Sequence, residues 1–373
     1  MYGIIEFTSR TKVQGKFKFK PLNQTTYQYV ANKSNKSNQH VDMWAKVDDD
    51  YNIMEILGQV GDHAIESKVQ RLHYGIEPCK YPVIVNNDQV ENSAIHAITV
   101  DNVDTVDRDD AFSIDYEKRT IGIHITNVAQ ALLGNSPEVF EWISKRGASA
   151  YWQDENGALK TSPMLPHRLI SDVLSLNHKC TRPCISVFLE FDEDFENIIN
   201  TYHKFTHVYI DRNETYTSFV GTKEYDDLVW MTKLHDSHDQ IAWLAIKYNC
   251  YFATTTFDHN IILREQESSN TSASYAFATQ AKTHIAMGGV LYGHFTSPIR
   301  RYADLHNQMV IMESHTFNVD INALNTRMLD LQQFGYRDTV MALSYKYMHS
   351  PGIVKAKVET SEDGLSLLIF VPG

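Results

Sequence analysis

With 373 residues, 43% apolar and 11% aromatic, the chain can bury a sizeable core and reads as a soluble globular protein of one large domain and something smaller. No run approaches the roughly 18 apolar residues of a membrane span, and the Met-Tyr-Gly-Ile-Ile-Glu start lacks a charged-then-apolar leader, so we expect an intracellular, cytoplasmic monomer without a membrane partner. A net charge of −12 speaks against a uniformly basic nucleic-acid binder, yet it is compatible with a basic groove beside metal-holding carboxylates.

Residues 1–75 read as short strands between polar turns, namely Gly3–Phe7, Gly15–Pro21, Tyr27–Val30 and Val41–Val47, which suggests a small barrel. In the second of these, Phe17 and Phe19 alternate with Lys16, Lys18 and Lys20. That alternation fits a core face backed by a solvated face, and equally a phosphate-tracking strand of an OB-type barrel. The polar repeat 32–38 reads as a loop, and 76–95 as a linker. The four cysteines, Cys79, Cys180, Cys184 and Cys250, match neither zinc nor redox spacing and are expected to be ordinary thiols.

From residue 96 the pattern is mixed, with strands at Ile98–Val100, Ala111–Ile114 and Ile121–Ile125, then a helix near 137–145 opened by Ser136 and Pro137. Helices are expected near 225–250, 273–290, 298–315 and 322–347, with Tyr302, Leu305 and Met309 facing the core. The last residues, from 349 to 373, return to strand character. The fold class is therefore α+β.

Two segments carry chemistry. Between Val100 and Phe112 lie five aspartates, Asp101, Asp104, Asp107, Asp109 and Asp110. Two carboxylates about 4 Å apart repel by roughly 4 kcal/mol at an effective dielectric near 20, so a buried cluster calls for a cation or shared protons. Magnesium accepts carboxylates together with water and phosphate oxygens. An EF-hand fits poorly, because Val103 and Val106 fall where a ligand and the glycine belong, and a solvated Asp-rich turn satisfies the same sequence. The second segment is Gly293–Leu305. Ser297 and Pro298 look like the start of a helix with Arg300 and Arg301 in its first turn, a natural place for an anion such as an RNA phosphate. Either arginine can alternatively pair with Asp304.

At these two segments the chain resembles the ribonuclease II/R family, whose catalytic module is the RNB domain. The resemblance rests on Ile98–Asp101 with Asp107–Ala111, on Gly122–Val128, Arg146–Tyr151, Pro163–Pro166, Leu174–Leu176 and Ile262–Arg264, and on His294–Asp304, all in the family's order. It implies a cold-shock-like OB barrel at 1–75, a linker at 76–95, an RNB catalytic domain at 96–348 and incomplete strands of a C-terminal RNA-binding barrel at 349–373. It also implies 3′-to-5′ hydrolysis of single-stranded RNA to 5′-nucleoside monophosphates. Asp101, Asp107, Asp109 and Asp110 would hold magnesium, with manganese as a substitute, and Asp109 and Arg300 would be catalytic. Arg300 would meet the scissile phosphate and Tyr151 would stack on or brace the terminal nucleotides; without the resemblance, a buried packing tyrosine is the preferred reading of Tyr151. Three features depart from the family: Asn127 replaces its usual Asp, Ile241–Asn249 lacks a helix-borne Glu, and the C-terminal barrel is short. They motivate the alternative of a catalytically silent RNA-binding protein.

Overall fold

A computed structural model describes residues 1–9, 15–22, 24–31, 40–76, 80–86, 94–256, 260–268, 271–313 and 318–349, together with the strands Lys357–Thr360 and Leu367–Phe370. The polar repeat at 32–38 and Cys79 lie outside the described residues. The chain forms a mixed α+β structure that divides into two units. One comprises Met1–Ile76, Trp152–Lys160 and Gln333–Gly373; the other comprises Glu77–Tyr151 and Thr161–Gln332.

In the first unit, β1 (Tyr2–Glu6), β2 (Phe17–Pro21), β3 (Gln28–Val30), β4 (Met43–Val47) and β5 (Ile53–Gln59) form a sheet in the order β3-β2-β1-β4-β5. Ala31 and Asn52, next to the two edge strands, form a parallel bridge that brings those edges together. Alternation sends Ile5, Phe19, Val30, Ala45 and Val47 into one core, while Lys20 is exposed and Lys18 lies over the Tyr27 ring. The expected strands are present. β5 and the helix His63–His73, capped by Asp62, were missed, since its apolar positions are few and only Ser67 and Val69 are buried.

The second unit is built on a closed five-stranded barrel. Its strands are β6 (Ile95–Asp101), β7 (Asp110–Asp115), β8 (Thr120–Thr126) and the long pair Thr181–Phe191 and Ile198–Thr215. β6 lies parallel to Ile198–Thr215; the other pairings are antiparallel. One strand face carries Phe112, Ile121, Ile123, Ile125, Ile185, Val187 and Leu189, which pack with Ile241, Leu244, Tyr248 and Phe252 of the helix Ser237–Thr255. The long pair was not foreseen, although Ile185, Val187, Leu189 and Phe191 alternate with period two and are all buried.

The opposite strand face closes inside the barrel, around Ala97, Ala111, Leu176, Cys184, Val208 and Ile210. His124 is fully buried there, with its two ring nitrogens bonded to Ser113 Oγ at 2.9 Å and Ser186 Oγ at 2.7 Å. The ring occupies the space above Gly122, where a Cβ would stand 2.7 Å from both His124 Nε2 and Ser113 Oγ. Cys180, Cys184 and Cys250 are free thiols.

Three helix expectations differ from the structure. The segment 225–250 holds two helices, Lys223–Thr232 and Ser237–Thr255, parted at Lys233, where φ is 61°. The segment 273–290 contains the strand Ser274–Phe277 and a single 3₁₀ turn, Ile285–Met287. Its alanines suit a helix, but Tyr275 is buried by pairing with Arg264, and the Asn325 side chain donates to the Tyr275 carbonyl and accepts from its N–H, satisfying both backbone groups in extended form. The other helix begins at Tyr302 rather than Pro298, because Arg301 is extended and forms a bridge to Ala148. Tyr302, Leu305 and Met309 are buried as expected. Among the described residues no helix is long and apolar enough to cross a membrane.

Burial holds the His124 pKa down to about 3, against 6.5 when exposed. Above 6.5 the folded and unfolded chains both carry a neutral ring; below it the unfolded ring takes up a proton that the folded one refuses, so stability falls with pH. Between pH 7 and pH 5 this group alone removes about 2 kcal/mol. Urea denaturation at the two pH values should therefore show a smaller drop in His124→Asn than in the parent; equal drops would show that His124 titrates normally in the fold.

Candidate active site

The aspartates sit where β6 ends and β7 begins. Asp101 closes β6, Asp110 opens β7, and residues 102–109 cross between them. That crossing is fastened at Arg108, whose N–H donates to Ser175 Oγ at 3.1 Å and whose carbonyl accepts from Leu176 N at 3.0 Å. Ser175 also donates to the Val106 carbonyl at 2.8 Å, so the Leu174–Leu176 motif serves as a clamp for the acidic loop. Asp104 is exposed and takes no part.

Asp109 is the buried member, 2% exposed. Its Oδ1 accepts from Ile299 N at 2.8 Å, and its Oδ2 lies 3.4 Å from Arg300 Nε. Among the described residues, Asp109 Oδ2 and Asp101 Oδ2 find no hydrogen-bond partner. Asp101 Oδ2 has only Arg108 Nε at 3.7 Å. Burial raises the pKa of Asp101, Asp109 and Asp110 above the usual carboxylate range. Neighbouring carboxylates add to the rise: Asp110 and Asp107 act on Asp101, and Asp107 and Asp110 act on Asp109. Asp107 Oδ2 accepts the Tyr151 phenol at 2.5 Å, and burial together with Asp107 raises the pKa of that phenol.

The turn Ser297–Arg301 supplies the cations. Ser149 N–H donates to the Arg300 carbonyl at 2.9 Å, and Tyr302 N–H donates to the Gly147 carbonyl at 2.8 Å. Gly147 ends the helix Pro137–Arg146 at φ 70°, a conformation suited to glycine that turns the Arg146–Tyr151 motif onto the arginine turn. The two arginines then diverge. Arg301 donates through Nη2 to Asp304 Oδ1 at 2.8 Å, and that fully buried carboxylate also accepts from Ser297 N, so the ion-pair alternative holds for Arg301. The Arg300 side chain is 42% exposed, donates to Ser297 Oγ and faces Asp109. The anion expected at the turn's backbone N–H groups is present in the fold itself, as Asp109.

The structure thus gathers all four aspartates, Tyr151 and Arg300 into one neighbourhood. Among the described residues, however, no three His, Cys, Asp or Glu side chains are placed to ligate one ion. The donor set still fits magnesium, which takes one or two carboxylates with waters and phosphate oxygens; two unpartnered buried carboxylate oxygens and mutual repulsion are what a hard cation would relieve. Ser175 was missed by sequence reasoning, although it lies inside the recognised Leu174–Leu176 motif. Asp304 was foreseen as a possible ion-pair partner of either arginine, and the structure gives it to Arg301.

The family model for the RNB domain matches residues 90–220 and 222–315, more than half of the chain. The chain belongs to the RNB-domain ribonuclease II/R family. No curated protein matches it by sequence. Among solved structures, Mycoplasma genitalium RNase R in complex with double-stranded RNA is similar with a TM-score of 0.67 at 14% identity, over 92% of this chain and 89% of that one. Yeast Ssd1, described as a pseudonuclease, is similar with a TM-score of 0.70 at 13% identity, over 96% of this chain and 62% of that one. At such identities the likeness is one of fold.

Within the RNB domain the departures acquire physical content. Asn127 is buried and caps the short helix Val128–Ala131, its Oδ1 accepting from Gln130 N at 3.0 Å, so a neutral amide performs the capping. Asp110 lines a small cavity with Ile241, Leu244, Ala245 and Thr296, and no carboxylate comes from that helix face.

Breaking one side of a buried ion pair costs about 3–5 kcal/mol. Asp304→Ala should lower the unfolding free energy by that amount in chemical denaturation. A loss below about 1 kcal/mol for Asp304→Ala would remove the ion pair from the supports of the site.

Proposed function

We propose that the chain is a magnesium-dependent 3′-to-5′ exoribonuclease that hydrolyses single-stranded RNA to 5′-nucleoside monophosphates, with manganese able to substitute. The observation that carries this reading is Asp109, a buried carboxylate with one oxygen fixed by Ile299 N–H and the other unbonded beside Arg300. A buried acid without a full set of partners is destabilising unless a ligand completes it.

Asp101, Asp107, Asp109 and Asp110 would hold the metal, which when bound supplies charge neutralisation at the phosphodiester and an acidified water. Arg300, half exposed and directed at Asp109, would contact the scissile phosphate and stabilise charge as the bond breaks. The Tyr151 phenol orients Asp107, and its ring would brace the terminal nucleotides. Arg301, committed to Asp304, would hold the turn on which Arg300 stands. The N-terminal sheet, with strand order β3-β2-β1-β4-β5 and its Ala31–Asn52 bridge, supports an OB-type RNA-binding module at 1–75. Lys16, Lys18 and Lys20 would track phosphates there, ahead of the RNB module at 96–348. The antiparallel strands Lys357–Thr360 and Leu367–Phe370 would belong to a C-terminal RNA-binding barrel, the rest of 350–373 lying outside the described residues.

A catalytically silent RNA-binding protein is the second reading. It is favoured by the Arg300 guanidinium standing over the free oxygen of Asp109, and by the fold shared with a pseudonuclease.

End-labelled single-stranded RNA incubated with magnesium or manganese separates the two. Stepwise shortening from the 3′ end is expected; binding without shortening would leave only the second reading. Asp109→Asn should abolish hydrolysis and leave RNA affinity within about twofold, because it removes charge at the metal and not along the strand. Arg300→Ala should lower kcat by about 10²-fold or more, with a smaller change in affinity; a change confined to affinity would reduce Arg300 to a phosphate-holding group.

A further inference from the structure

The motif Ile262–Arg264 is unexplained by the site above. It forms the central strand, Ile262–Glu265, of a three-stranded sheet whose outer members are Ser274–Phe277 and Tyr292–Gly293. Arg264 stands opposite Tyr275 on one side and Tyr292 on the other, and directly opposed residues share a sheet face. Its guanidinium lies 4.8 Å from the Tyr275 ring centroid. Tyr275 Oη is 2.8 Å from His294 Nδ1, and the Tyr292 hydroxyl accepts from Asn249 Nδ2 at 2.9 Å, so both flanking tyrosines are fixed.

Among the described residues this half-buried guanidinium has no ion pair and no hydrogen bond; the ring stack is its contact. The neighbouring Glu265 points to the other face, where it accepts from Lys282 N, and Glu267 pairs with Lys282 Nζ. Arg300 and Arg301 each face a carboxylate, Asp109 and Asp304, and Arg264 faces none. The three arginines act on one point: His294 is held neutral by burial, reinforced by Arg301, Arg264 and Arg300. A desolvated guanidinium aligned by stacking, beside a site built for phosphodiesters, lacks an anion.

We propose that Arg264 is a second phosphate-binding arginine, which contacts a backbone phosphate of the RNA substrate other than the scissile one and is held in line by Tyr275 and Tyr292. The inference rests on the RNA-nuclease reading and adds a subsite to it. Arg264 would set affinity and register of the strand, while Arg300 acts on the bond that breaks.

The test is RNA binding, read without hydrolysis. A short fluorescent oligoadenylate is titrated with full-length Asp109→Asn protein, with and without Arg264→Met, over a series of potassium chloride concentrations. Methionine keeps the bulk of the side chain over Tyr275 and deletes the charge. Loss of one phosphate contact should weaken binding about tenfold and flatten the plot of log affinity against log salt by about 0.7. Arg264→Lys should keep the salt slope and recover part of the affinity. Unchanged affinity and slope in Arg264→Met would overturn the assignment and leave the RNA reading standing, whereas no binding by the reference protein would overturn both. Should Arg264→Met fail to fold, the same comparison with Arg264→Gln decides.

Discussion

One contact organises the catalytic unit: the Ile299 N–H donating to the Asp109 carboxylate. A carboxylate 2% exposed is costly to bury, and a backbone amide and a guanidinium from the same turn offset part of that cost. In that turn Arg301 is extended and pinned to Ala148, and the helix starts only at Tyr302. The remaining anchors serve this meeting. Gly147 and Ser149 hold the turn, Ser175 holds the acidic loop, and Gln308 donates to the Thr126 carbonyl while Thr126 N–H donates to the Asp109 carbonyl.

The same constraint explains how an acidic chain can present cationic chemistry at one place. Acids and arginines are interleaved in the site, and each arginine turn or acidic loop partly neutralises the other. The net charge of −12 describes the chain as a whole and carries little information about this interior.

Much of this was legible in the residues. β6, β7 and β8 announced themselves by β-branched alternation, and the Asp cluster by the expense of crowding charge. The long strands 181–191 and 198–215 were equally readable by period but were passed over. The segment 273–290 was a true override: its alanines favour a helix, and only the distant Asn325 amide makes the extended form of Tyr275 the better solution. The extended Arg301 was likewise beyond local reasoning, since Ser297 and Pro298 form a respectable helix start and the deciding partner, Ala148, is remote in sequence. Chemical roles followed the same division. Arg300 and Arg301 are neighbours of one type, and which of them is buried depends on the position of Asp304 after folding.

The barrel is closed by a parallel pairing of β6 with Ile198–Thr215, whose paired residues lie more than a hundred positions apart in the chain. Thr181–Phe191 covers the β8 edge first, but until Ile198–Thr215 has been synthesised the β6 edge has no partner, and that edge ends on Asp101. The acidic half of the site is therefore carried on a nascent sheet that cannot close, and Arg300 arrives later still. The open β6 edge thus lasts from the completion of β8 until Thr215 has been made, and the meeting of Asp109 with Arg300 waits for the still later turn Ser297–Arg301.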